Sequence, residues 1–245
     1  MGILSQQSLL AEIVAGLGNR TDFSAQRQVN ALNLAQVDLN RRTDWIDLQQ
    51  RSVQIISYTG VPSVDIFQTI PTNLKTFHSI VLADTTGGQA TEGNSRKMLS
   101  RTPRWFDSHF PAPDYLPAGW PSVYCRWGST QIIVAPAPMA AFSMNLRWIS
   151  WPTPFTVANA TQLSDFVNMD DILIFLSLAY LFSTLGSAAE TQTAKYQELA
   201  ETKIKAALER NANHPDLDIS PSIEAGIAPI GPYWLNPFIG TGAGT

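Results

Sequence analysis

Residues 121–155 read PSVYCRWGSTQIIVAPAPMAAFSMNLRWISWPTPF, and residues 169–185 read MDDILIFLSLAYLFSTL. The first stretch predicts three short strands. Residues 123–127 run into a Gly128-Ser129 turn, residues 131–134 end at Ala135-Pro136-Ala137-Pro138, and residues 144–151 alternate as far as Pro152 and Pro154. Runs of β-branched and aromatic residues between glycine and proline breakers are the strand signal, and proline ends a ladder because it has no N–H to donate. The second stretch predicts a helix with almost no polar face. Such a helix must be covered on most sides, which makes it the central pillar of a core. Together the two stretches place the chain in the α+β class.

Upstream, residues 5–17 predict a short helix, with Leu9, Leu10, Ile13, Val14 and Leu17 at helical spacing. Gly18-Asn19 supplies its stop, since both tolerate the left-handed conformation. Asp22 or Ser24 can cap a second helix, expected to run to about residue 50. Val29, Leu32, Ala35, Leu39 and Ile46 make one apolar line along it, and Leu34, Val37, Trp45 and Leu48 make another. Two lines imply either a wide core-facing stripe or a core on one side and a neighbouring subunit on the other. Arg41, Arg42 and Arg51 near its end complement the helix dipole. Residues 51–58, 64–68 and 77–82 predict strands. Residues 83–96 are Gly/Thr-rich and polar, a loop or hairpin tip without the spacing of a phosphate-binding loop. Residues 99–110 predict a short helix with Pro103 near its first turn.

Downstream, residues 187–210 are amphipathic, with Ala189, Thr193, Tyr196, Ala200, Ile204 and Ala207 on one face. Gly186-Ser187 breaks this helix from the apolar one, so the two form an antiparallel hairpin. The expected layout is a helical bundle of N- and C-terminal helices (residues 1–51 and 165–210), a β-rich insertion domain (residues 52–164) and an extended C-terminal arm (residues 211–245). The arm is rich in Pro, Gly, Ile and aromatics and carries no charge after Glu224. An apolar, proline-punctuated segment without a period reads as one that docks on a partner, and Tyr233, Trp234, Leu235 and Phe238 would be its anchors.

Of the 245 residues 44% are hydrophobic, enough for a real core, and 15% are charged, well below the usual quarter or so. So few surface charges suggest that much of the surface is covered, most simply by copies of the same chain. A net charge of −4 argues against a generic nucleic-acid binder, which needs a basic surface. The single cysteine, Cys125, allows no internal disulfide and no cysteine metal site, and its place in a strand pattern reads as buried. The apolar stretch 172–185 is shorter than the roughly twenty residues of a membrane span, so no membrane association is expected. The N-terminus has neither the pattern of a signal peptide nor a good myristoylation motif.

His78, His109 and His214 share no metal-ligand spacing, and no H-E-x-x-H or G-x-S-x-G occurs. Asp170-Asp171 reads as an acidic helix start rather than a catalytic pair, and Asp44 and Asp47 as solvent-facing helix residues. Trp120, Trp127, Trp148 and Trp151 could stack on a sugar or a base, but at strand spacing they read first as core or interface. No catalytic residue, cofactor site or metal site is expected.

The order of these segments resembles the neck adaptors, or head-to-tail connectors, of tailed bacteriophages. The resemblance covers residues 5–210. It rests on SLLAEIVAGLGNRTD (residues 8–22), a helix leading into RRTDWIDLQQ (41–50), Gly119-Trp120-Pro121, strands closing on Pro136-Ala137-Pro138 and Trp151-Pro152-Thr153-Pro154, and the acidic start Met169-Asp170-Asp171-Ile172. It implies a non-catalytic virion protein of the neck that forms a ring, typically a dodecamer, beneath the portal. Such a ring joins capsid to tail and lets DNA pass through its lumen without specific binding, up to genome ejection. The implied partners are the portal protein, a tail or nozzle protein and further copies of the chain, with the arm gripping the portal. A closed ring needs two different patches on each subunit, and the two lines of the second helix are the expected pair. The alternatives are a tail terminator or hub protein, a Trp-based carbohydrate-binding module and, last, a small enzyme.

Overall fold

A computed structural model describes residues 2–20, 22–84, 95–112 and 118–212. The fold is α+β, as expected. Helix α1 (Gln6–Gly16) starts at Ser5, whose hydroxyl accepts the Ser8 N–H. It stops where Gly18 and Asn19 turn left-handed, at φ 69° and 57°. Helix α2 (Ala25–Arg42) is capped by the Ser24 hydroxyl, which accepts the Arg27 N–H. Val29, Leu32, Ala35 and Leu39 are buried along it, so the first apolar line faces the core except for Ile46, which lies beyond the helix and is half-buried.

Helix α2 ends well short of residue 50. Thr43 is extended, and the chain folds back so that the Trp45 indole N–H donates to the Leu39 carbonyl at 2.7 Å. That bond closes one of the carbonyls a helix end leaves open. Trp45 and Leu48 therefore fill the core rather than flank a helix. The second apolar line does not exist as a line, since Leu34 is 56% exposed and Val37 half-buried.

Helix α5 (Asp170–Ser183) is the central pillar. It packs against α1, α2 and α6 (Glu190–Ala212). A 3₁₀ turn, Gly186–Ala189, reverses the chain between α5 and α6, with Gly186 at φ 73°. The Phe182 and Tyr196 rings stack 5.6 Å apart across the hairpin. Helix α1 approaches α5 closely because Gly16 has no side chain: a Cβ there would lie 2.7 Å from Leu178 Cδ1.

Two four-stranded sheets are built from the middle of the chain. The first has the order β1 (Gln49–Ile55), β8 (Phe142–Ser150), β3 (Leu74–Asp84), β4 (Ser95–Lys97), all antiparallel. The second has the order β2 (Phe67–Thr69), β7 (Gln131–Ala135), β6 (Val123–Trp127), β5 (Leu99–Ser100), with β5 parallel to β6. The three consecutive strands predicted from residue 123 are present, but they divide: β6 and β7 pair, and β8 crosses to the other sheet. Leu82, Met144, Leu146 and Trp148 of the first sheet share one core with Tyr124, Ile132 and Val134 of the second. The far face of the second sheet carries Val123, Cys125, Ile133 and Ala135, which share a core with Ile66 and with Phe106 of α4 (Pro103–His109).

The strand expected over 64–68 is only half right. Its first half forms the short helix α3 (Pro62–Asp65). Pro62 at the first turn suits a helix start, and the buried Asp65 carboxylate accepts the N–H groups of Thr59 and Gly60, which fixes the turn before it.

Sheet and bundle are joined at one end of β8. Ile149 lies in the bundle core, and the Ser150 hydroxyl donates to the Leu48 carbonyl. Lys75 on β3 donates to the Asn40 and Thr43 carbonyls at the end of α2 and pairs with Asp44 at 2.9 Å. Asp47 accepts the Val167 N–H. Neither Asp44 nor Asp47 is thus a free solvent-facing helix residue. Phe155, Phe166 and Met169, from the irregular segment before α5, complete the bundle core.

Candidate assembly surfaces

The first surface forms where the N-terminal segment meets the start of α5. Asp170 is 7% exposed, and its Oδ2 accepts the backbone N–H groups of Ile3 and Leu4 at 2.7 and 2.9 Å. The Gly2 N–H donates to the Ser164 carbonyl at 2.7 Å, and Ser5 bridges to Leu163. A Cβ at Gly2 would lie 2.5 Å from Asp170 Oδ1, so this close approach requires glycine. Asp170 Oδ1 is buried without a hydrogen-bond partner. Asp171 pairs with Lys203 on α6 at 3.1 Å. The acidic pair predicted as a helix start does sit at one, and Asp170 also pins Ile3 and Leu4. Beside it lies a groove of about 460 Å³ whose walls include Ile3, Leu4, Glu12, Asp170, Asp171 and Ile174. Ile3 projects there 74% exposed.

The second surface is the outer face of the first sheet. Directly paired residues in a sheet share a face, so the register defines its rows. Arg51, Arg147 and Ser79 form one row, and Val53, Asn145, Val81 and Lys97 the next. A third holds Ile55, Ser143, Ala83 and Ser95. Val53 is 59% and Ile55 70% exposed, on an edge strand. Arg51 and Arg147 stand opposite each other, and neither they nor Lys97 has a carboxylate partner among the described residues. Like charges directly opposite destabilise a sheet. Reading residues singly does not find this face, because the two arginines meet only through the β1–β8 register.

The third feature is the exit of α6. Asn211 is buried; its Oδ1 accepts the Ile46 N–H and its Nδ2 donates to the Asp44 carbonyl, both at 3.1 Å. The arm anchors Tyr233, Trp234, Leu235 and Phe238 lie outside the described residues, as does His214. His78 is exposed, and His109 stacks on Trp105 with ring centres 4.0 Å apart. The four tryptophans make no common platform. Trp148 is buried between the sheets and Trp120 packs on Phe142, whereas Trp127 and Trp151 are exposed at separate places. Burial pushes the Cys125 thiol up, and Asp107 adds to the shift, which favours the protonated thiol at neutral pH. Among the described residues no group of three or more His, Cys, Asp or Glu could hold a metal, and no helix is long and apolar enough to cross a membrane.

A family model described as SU10 adaptor protein matches residues 6–219 of the chain. No curated protein matches it.

Proposed function

The chain belongs to the SU10 adaptor protein family, a family of bacteriophage head-to-tail adaptors, and from that membership we propose that it works as the ring-forming connector of a phage neck. The family match carries this reading, since it spans most of the chain and takes in the helices, both sheets and the junction between them. In this role the protein is a virion component with a mechanical task and no reaction. Copies, twelve in the ring that the resemblance implies, sit below the portal, hold a tail or nozzle protein on the other side, and leave a lumen for DNA. A lumen with few basic residues would let DNA slide. The expected arm loses its first two residues to α6, and its remainder, residues 213–245, grips the portal through Tyr233, Trp234, Leu235 and Phe238.

The test is the native mass of the purified protein, alone and with a portal ring. A ring that forms alone or on the portal is expected, and removal of residues 213–245 is expected to abolish portal binding. A stable monomer that ignores the portal overturns the reading, and portal binding unchanged by the deletion overturns the role of the arm. Assembly through stacked sheets on a tail tube, with no portal contact, would make the protein a tail terminator.

A further inference from the structure

We propose that the outer face of the first sheet and the groove beside the N-terminal segment are the two halves of one contact, made between neighbouring copies of this chain. The proposal rests on the ring reading above and adds to it the surfaces that meet. A ring is closed by a heterologous interface, in which each subunit offers two different patches, one to the copy before it and one to the copy after. The second line of α2 cannot be one of them, because Trp45 and Leu48 are buried in the core. The sheet face and the groove can.

The face is basic and apolar. Arg51 and Arg147 are held opposite each other with no carboxylate partner among the described residues, next to the exposed Val53 and Ile55. An acidic partner removes the repulsion between the two guanidiniums, so the face is better off covered than bare. The groove is acidic and apolar. Glu12 is exposed and has no cation partner among the described residues, and the half-buried Asp171, paired with the exposed Lys203, lines the groove beside it; Asp170 is buried and adds negative potential there rather than a contact. Ile3, Leu4 and Ile174 stand beside these carboxylates as Val53 and Ile55 stand beside the arginines. Charge fixes which surfaces meet, and the apolar residues give the contact area that salt does not screen. The same apolar residues argue for a protein occupant over a nucleic acid, whose phosphates would leave Val53 and Ile55 without a partner.

The experiment uses the full chain and a charge exchange. Arg51→Glu with Arg147→Glu reverses the face, and Glu12→Arg reverses one wall of the groove. Association is read by sedimentation and native mass, with and without a portal ring. Circular dichroism and thermal melting serve as the folding control, since all three side chains are exposed. Each reversal alone is expected to weaken subunit association by about tenfold or more, because like charges now face each other. Combining them in one chain is expected to restore part of it, since the reversed face then meets a reversed wall in every contact. Rings that form normally with the reversed face overturn the proposal and leave the ring reading standing. Loss of association without rescue overturns the pairing of face with groove. A wild-type chain that forms no ring, alone or on the portal, overturns both. Should the face variant instead lose binding to duplex DNA while subunit association is unchanged, the face reads nucleic acid and the proposal is wrong.

Discussion

At the scale of single residues, Asp170 carries more than a helix start requires. One carboxylate oxygen holds two consecutive backbone amides of the N-terminal segment and is shielded from water by that segment. Asp170→Ala leaves both N–H groups without an acceptor and is expected to lower the unfolding free energy by about 2–3 kcal/mol. Hydrogen exchange at Ile3 and Leu4 reports this directly, since both amides should lose protection together; unchanged protection would show that the Gly2–Ser164 bond suffices. Cys125 makes a second prediction at this scale. Its thiol pKa is raised by burial and then by Asp107, so little thiolate exists at neutral pH. A maleimide at about pH 8 is expected to leave the folded protein unmodified and to label it once guanidinium unfolds the chain. Fast labelling of native protein would mean that the layer formed by Ile66 and Phe106 opens readily. The burial of Cys125 and the helix-start role of Asp170-Asp171 were legible in the sequence because strand pattern and acidic first turns are local signals. The partners of Asp170 were not, since nothing in residues 2–4 announces where their amides end.

At the scale of elements, the same division between local and remote causes explains what could be read. Strands β6, β7 and β8 are bounded by Gly128, Pro136 and Pro152, whose backbone limits act on the spot. The apolar α5 was legible for a similar reason, as no solvent face exists to place it elsewhere. The end of α2 was not. Trp45 continues the helical spacing of the line before it, and remote bonds hold the chain out of the helix there: Lys75 on the Asn40 and Thr43 carbonyls, Asn211 on the Ile46 N–H, and the indole on the Leu39 carbonyl. Trp45→Phe keeps most of the packing and removes that donor. It is expected to cost about 1–3 kcal/mol, seen as a lower midpoint in urea with an unchanged slope. No change in midpoint would mean that water replaces the indole at the carbonyl. Helix α3 was misread as strand because Val64 has a high strand preference, which Pro62 and the bonds of Asp65 outweigh.

At the scale of the whole molecule, the α+β architecture follows from local patterns, but the order of strands in each sheet does not. Strand β8 lies between β1 and β3, both much earlier in the chain, and only this pairing sets Arg51 against Arg147. The candidate surfaces are therefore products of topology, whereas the proposed arm anchors, which lie outside the described residues, rest on composition alone. The joint between sheets and bundle gives a prediction of its own. Lys75 reaches from β3 to two carbonyls at the end of α2, so the two parts are expected to melt in one calorimetric transition. Lys75→Met is expected to lower the midpoint by leaving those carbonyls without a donor, at a cost of about 1–3 kcal/mol. Two separate transitions in the wild-type chain would show that the joint couples the parts weakly. Asn211 belongs to the same joint and has a mechanical consequence. Its side chain ties the last turn of α6 to the segment that leads into β1. A tug on anything beyond residue 212 first loads this tie, which divides the force between helix and sheet. The helix cannot unravel turn by turn until the tie is broken, so the site behaves as a strain relief at the point where a cable leaves its housing.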